Sequence, residues 1–300
     1  MNVRFSIISS GNIKSLFYSV LILIFCCSTP RSSFAQTSLP RVSNEVFQTI
    51  VQFYGYDKNI PLDAKVVAKQ ELPTGNREKI VFTKINQSRV PSYLVIPKDG
   101  AVTHPVVLIV DGIYGSKERW FEDASWPKGG LVTTPLLKSD FAIMILDAVY
   151  HGERSADNDY APVPAPWELP NTARQMIMQT AIEYRRAMDY LSTRSDINTT
   201  RIGMLGLSMG ALITFSLTSF DSRIKSAIAG LAPVQFGSSV FAPHIGYNSF
   251  LMFMGNKDGY YTMKEARELY DLISVPKKEF VEYNAGTAGG ICWKGYGLVY

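Results

Sequence analysis

Residues 201–219 read RIGMLGLSMGALITFSLTS, and this stretch decides the fold. Its first seven residues form an apolar run of strand length, and its last nine suit a helix. Between them Gly206-Leu207-Ser208-Met209-Gly210 spells G-x-S-x-G. A serine on so sharp a strand-to-helix turn needs flanking glycines, because side chains there would collide. The turn exposes the serine Oγ, and the helix N-terminus behind it favours developing negative charge. A five-residue pattern recurs by chance; the strand before it and the helix after it give this match its weight. Ser208 is the expected nucleophile.

Similar runs lie on both sides: residues 105–110 (PVVLIV), 141–146 (FAIMIL), 224–231 (IKSAIAGL), 250–254 (FLMFM) and 279–283 (EFVEY). Each is of strand length and followed by a turn signal, as in a sheet whose parallel strands are covered on both faces. Between them, residues 171–192 place Ile177, Ala181, Tyr184, Met188 and Leu191 on one helical face. Thr262 with Glu265 predicts a capping box for a helix ending near Ser274. Residues 43–56 predict a short amphipathic helix capped by serine, and residues 77–84 and 90–97 an antiparallel hairpin whose turn contains Asn86. The expected fold class is α/β: a mostly parallel central sheet, entered through the hairpin and flanked by helices. Residues 115–140 read as a helix plus a lid-like loop over a pocket, or as ordinary surface packing. Trp120, Phe121, Trp126 and Trp167 are candidates for an apolar pocket wall, with plain core as the alternative.

The chain has 300 residues, 46% apolar and 19% charged, which suits a globular protein and excludes disorder. Thirty Lys and Arg against 26 Asp and Glu give +4. Three of those cations (Arg4, Lys14 and Arg31) and no acid fall within the first 35 residues, so the remainder balances at 27 against 26. A near-neutral body carries no electrostatic footprint for nucleic acid.

Those first 35 residues read as a signal peptide. Arg4 and Lys14 precede the apolar residues 16–27, and Ser33-Phe34-Ala35 supplies small residues for cleavage after Ala35. The apolar run is shorter than the roughly 20 residues a bilayer span needs, so export to the periplasm or medium is expected, with no stable membrane span after cleavage. Cys26 and Cys27 leave lipid attachment as an alternative, which bulky Phe25 disfavours. Residues 36–300 form one expected domain with a single cysteine, Cys292, so no intrachain disulfide can brace it.

At these motifs the sequence resembles the α/β-hydrolase superfamily, and within it the dienelactone-hydrolase-like and prolyl-oligopeptidase-like esterases. The residues that carry the resemblance are Arg201-Ile202-Gly203 leading into the serine turn, Asp111-Gly112-Ile113-Tyr114-Gly115 after the 105–110 strand, and Asp147 with His151-Gly152-Glu153-Arg154 after the 141–146 strand. The resemblance implies that the backbone N–H groups of Ile113 and Met209 form the oxyanion hole. It also implies that Asp258, in the loop after the 250–254 strand, is the acid that orients the base; a plain turn aspartate is the alternative. The family commonly has His-Gly where this chain has Asp111-Gly112, and an acid there opposes negative charge.

The family's catalytic histidine, in the loop after the last strand, is missing. That loop reads Tyr283-Asn284-Ala285-Gly286-Thr287, and threonine cannot take and return a proton near neutral pH. Of the three histidines, His104 is expected at the surface at the far end of the sheet, His151 in a structural turn, and His244 is a distant candidate base. Residues 286–300 are atypical, with five glycines in fifteen positions. They read as a shifted frame, a truncated gene model or a degenerated terminus, or as a genuine divergent tail.

No metal centre and no cofactor are expected; Asp147, Glu153 and Asp157 read as solvated loop acids. The expected activity is serine hydrolysis of a small-molecule carboxylic ester or a peptide through an acyl-enzyme. A catalytically impaired binding protein and an acyltransferase on the same scaffold are the alternatives.

Overall fold

The computed structural model describes residues 39–83, 89–98, 100–157, 168–246 and 249–286, all in one compact unit. The expected leader, Asn86, Trp167 and Thr287 with the tail after it lie outside the described residues. In chain order the elements are α1 (Asn44–Gln52), β1 (Lys65–Leu72), β2 (Gly75–Thr83), β3 (Arg89–Pro97), β4 (His104–Val110), α2 (Gly130–Lys138), β5 (Ala142–Leu146), α3 (Pro170–Leu191), β6 (Ile197–Leu207), α4 (Met209–Phe220), β7 (Ile224–Gly230), α5 (Ser238–Phe241), β8 (Ser249–Gly255), α6 (Met263–Asp271) and β9 (Lys278–Tyr283).

The described strands form one sheet in the order β1-β2-β3-β5-β4-β6-β7-β8-β9. β1, β2 and β3 are antiparallel to their neighbours, as is β3 to β5; from β5 through β4 to β9 every pair is parallel. This is the expected mostly parallel sheet entered through an antiparallel hairpin. β5 lies on one side of β4 and β6 on the other, so the loops leaving β4 and β6 diverge. The crevice at the carboxyl ends of such strands is where ligand sites of open α/β sheets form.

Every residue of β4 and of β5 is buried, which is why these strands read as unbroken apolar runs. Val106, Leu108 and Val110 face one core, with α1, α3 and α4. Val107 and Ile109 face the other, with Trp120 and the α2 residues Val132, Leu136 and Leu137. Tyr184 of α3 ties the strands together: its hydroxyl donates to the Ile109 carbonyl and accepts from the Leu146 N–H. Throughout α4 the residues from Met209 to Ser219 are buried. Its hydroxyls are satisfied by their own helix, Thr214 donating to the Gly210 carbonyl at 3.0 Å and Thr218 to that of Thr214 at 2.6 Å.

Two expectations change. β1 was not foreseen: seven of its eight residues are exposed, so it has no buried face to impose a period of two. His104, expected at the surface, is 2% exposed. It begins the central strand β4 and its Nδ1 lies 3.2 Å from the Asp140 carbonyl, although it does sit at the end of the sheet away from the crevice. Among the described residues no helix is long and apolar enough to cross a membrane.

Candidate active site

Ser208 closes β6 and caps α4 with φ 52° and ψ −113°. For a non-glycine residue this is a strained conformation, of the kind kept at functional sites at a cost of about 1–3 kcal/mol. The surroundings enforce it. Ser208 N–H donates to the Gly230 carbonyl at 2.8 Å, and its own carbonyl accepts from Ala211 N–H at 2.9 Å. A Cβ on Gly206 would stand 2.1 Å from the Gly210 carbonyl oxygen, and one on Gly210 would stand 2.1 Å from that of Val110. The glycines of the motif are there for the steric reason the sequence suggested.

A cavity of about 220 Å³ opens beside Ser208 at the carboxyl ends of the central strands. It brings together all four residues singled out from the sequence: Ser208, Met209, Ile113 and Asp258. Gly112 belongs to the same wall, and a Cβ there would lie 3.3 Å from Ser208 Cβ. The turn after β4 is closed by Gly115 N–H donating to the Gly112 carbonyl at 3.1 Å. The first turn of α4 is closed by Ala211 and Leu212 donating to the Ser208 carbonyl. Among the described residues the bonds that close these two turns use neither the N–H of Ile113 nor that of Met209, the first residue of α4.

Asp111 does not line this cavity. Its carboxylate turns back on its own loop, accepting from Gly112 N–H at 2.7 Å and Ser116 N–H at 3.1 Å. The space it fills is open because residue 115 is glycine; a Cβ there would come within 2.2 Å of Asp111 Oδ2. Burial pushes the Asp111 carboxyl up to about 6, against the opposing pull of Arg119 and of these N–H donors. Asp111 therefore braces the turn that carries Ile113.

Asp258 is half-buried in the loop after β8 and accepts from Tyr260 N–H at 2.9 Å. Tyr261 was not foreseen as part of the site. Its hydroxyl accepts from Gly255 N–H at 3.0 Å and lies within the electrostatic reach of the Asp258 carboxylate. Burial, followed by the charge of Asp258, raises the Tyr261 pKa. Arg119 was also missed: its guanidinium donates to the carbonyls of Tyr114 and Trp126, both on the cavity wall. Of the aromatic candidates, Trp126 lines the cavity and Trp120 is fully buried core. Phe121 packs edge-on against Tyr93.

Among the described residues no histidine lines the cavity. His151 is buried, its Nδ1 lies 2.8 Å from the Val149 carbonyl, and burial lowers its pKa. His244 stacks on Phe47 of α1, ring centroids 3.6 Å apart, and burial lowers its pKa as well. The backbone after β9 passes beside the loop that carries Asp258. Lys257 N–H donates to the Ala285 carbonyl at 3.1 Å, and a Cβ on Gly286 would lie 3.9 Å from Asp258 N. The chain thus reaches Asp258 one residue before Thr287.

Of the three acids expected as solvated loop groups, Asp147 is buried and is drawn together with Glu153 and with Glu118, which the sequence did not single out: their carboxylate oxygens lie within 4.8 Å of one another. The ammonium of Lys117 sits among them, 2.6 Å from Asp147 Oδ2 and 2.9 Å from Glu118 Oε1, so a cation of the chain's own occupies that position.

The sequence matches the family described as BAAT / Acyl-CoA thioester hydrolase C terminal over residues 181–252. It is 21% identical over 213 residues to the Bacillus subtilis (strain 168) protein "Putative hydrolase YtaP", covering 70% of each chain. The fold matches acetyl xylan esterase from Paenibacillus sp. R4 with TM-score 0.65 and 16% identity, covering 85% of this chain and 93% of that one. It also matches acetyl xylan esterase 1 from Thermoanaerobacterium sp. JW/SL YS485 with TM-score 0.63 and 13% identity, covering 83% and 90%. With this strand order and serine turn, the chain is a protein of the α/β-hydrolase fold, similar to the esterases built on it.

Proposed function

We propose that this protein is an exported serine hydrolase that cleaves carboxylic esters through an acyl-enzyme on Ser208. The observation that carries the reading is the meeting of a strained Ser208, the turns that carry Ile113 and Met209, and Asp258 at one cavity. Ser208 Oγ attacks the ester carbonyl carbon, and the resulting oxyanion is held by the N–H groups of Ile113 and Met209. Collapse of the tetrahedral adduct expels the alcohol, which leaves with the proton taken from Ser208, and water then releases the acid. Asp258 orients the base that carries the proton, and the position for that base is 287, where this chain has threonine. Without it, only the residual catalysis of the oxyanion hole and binding operates.

One observation favours a second reading, binding without turnover: no histidine lines the cavity among the described residues. An organophosphonate probe with mass spectrometry separates the two. Labelling at Ser208 in the wild type, lost in Ser208→Ala, supports a complete hydrolase. Labelling only in Thr287→His supports a scaffold disabled at that one position, and no label in either sinks the nucleophile reading.

A further inference from the structure

The cavity's walls distinguish it from the ligands named for its relatives. Its surface is mostly apolar, and Ile113, Trp126, Ile177, Leu212, Leu231 and Phe236 are among the residues that line it. Its polar side chains are those of Ser208, Asp258 and three tyrosines, and one of these, Tyr261, already accepts from Gly255 N–H. Among the described residues no Lys, Arg, Asn, Gln or His lines it. Arg119, close in sequence, has its guanidinium turned onto the Tyr114 and Trp126 carbonyls, so it holds the wall in shape instead of facing a ligand. A sugar would leave its hydroxyls without the matched donors and acceptors that specific polar sites supply. The phosphates of coenzyme A would need Arg or Lys.

We propose that this cavity takes the hydrocarbon part of a small uncharged ester, and that neither an acetylated carbohydrate nor a coenzyme A thioester is its ligand. The proposal rests on the reading of Ser208 as nucleophile only for the word ester; the ligand class follows from the walls. Apolar walls reward each buried methylene with about a fourfold gain in affinity, until the cavity is full.

The test uses ligands that bind without turnover. Titration calorimetry of the wild-type protein with 2-butanone through 2-nonanone is expected to show affinity rising about fourfold per methylene, then levelling. Trp126 fluorescence should shift on binding, and the shift should vanish in Trp126→Phe. Butyryl-coenzyme A and acetylated xylobiose should bind no more tightly than 2-butanone. Leu212→Asp should weaken the longest ketone at least tenfold. Leu212 is buried, so Phe236→Ser, at a half-exposed lining position, provides a second variant expected to weaken it about threefold. Equal affinity along the ketone series, or tighter binding of the xylobiose or coenzyme A ligand, overturns the proposal. Chain-length-dependent binding with no phosphonate label on Ser208 in either the wild type or Thr287→His leaves the ligand class standing and removes the nucleophile; label in either with a flat ketone series does the reverse.

Discussion

Lys117 donates to Asp147 across 2.6 Å with both side chains fully buried. The same carboxylate accepts from Lys117 N–H at 2.9 Å and from Glu153 N–H at 3.1 Å. This pair joins the loop after β4, which supplies the proposed oxyanion donor, to the loop after β5. Burial opposes the lysine's charge, yet the Asp147, Glu153 and Glu118 carboxylates overcome it and raise the Lys117 pKa.

Removing one partner of a buried pair leaves the other charge uncompensated. Lys117→Met should therefore destabilise the protein by about 3–5 kcal/mol, read from urea denaturation. Lys117→Met with Asp147→Leu should recover part of that loss, because the fully buried carboxylate is removed and only the more exposed Glu118 and Glu153 are left without the lysine. A single-variant loss below about 1 kcal/mol would mean that water reaches Asp147 and the pair is not a strap.

The parallel strands were legible because burial on both faces removes polar residues at every position, as in β4. β1 was not, since a strand exposed on both faces leaves no pattern. Ser208 and Asp258 could be singled out as candidates because each stands in a loop at the end of a recognisable strand, and one cavity is lined by both. The Lys117 cluster was hidden: its partners lie 30 and 36 residues away, and only the packing of two loops brings them together. Arg119 and Tyr261 act through backbone groups, and a sequence says little about which carbonyl or N–H a side chain will reach.

Gly210 is expected to tolerate no side chain. Its Cβ would meet the carbonyl oxygens of Val110 and Asp111 at 2.1 and 2.8 Å, and backbone of a central strand cannot move aside. Gly210→Ala should push α4 off β4 and relax the strained turn at Ser208, with a stability loss of about 1–3 kcal/mol. The check is thermal unfolding together with phosphonate labelling in a Thr287→His background. Unchanged melting and labelling would show that the turn has room the packing denies.

Asp111 gives the protein a definite pH dependence. Its carboxyl is raised from 3.8 to about 6 in the folded state, so the folded protein prefers it protonated. The associated stability is fully present below pH 3.8 and is lost as pH rises through 6, by roughly 3 kcal/mol. Asp111→Asn cannot ionise and lacks this loss. Between pH 4 and 7 the wild type should therefore fall relative to Asp111→Asn in urea denaturation, whatever the variant's offset from its altered hydrogen bonds. Parallel stability profiles for the two proteins would remove Asp111 as the cause.

Tyr261→Phe separates positioning from mere stability. Loss of the hydroxyl leaves the buried Gly255 N–H without its acceptor at 3.0 Å, a penalty of about 1–3 kcal/mol. It also removes a polar neighbour from the Asp258 carboxylate. In the Thr287→His background the variant should label with phosphonate about tenfold more slowly than its parent, if Asp258 orients the introduced imidazole. The decisive measurement is the double variant. Once Asp258→Ala has removed the carboxylate, adding Tyr261→Phe should slow labelling no further, while the stability loss from the Gly255 N–H persists. Independent, multiplying effects on the labelling rate would place Tyr261 outside the orientation of Asp258 and leave it a structural residue of the loop after β8.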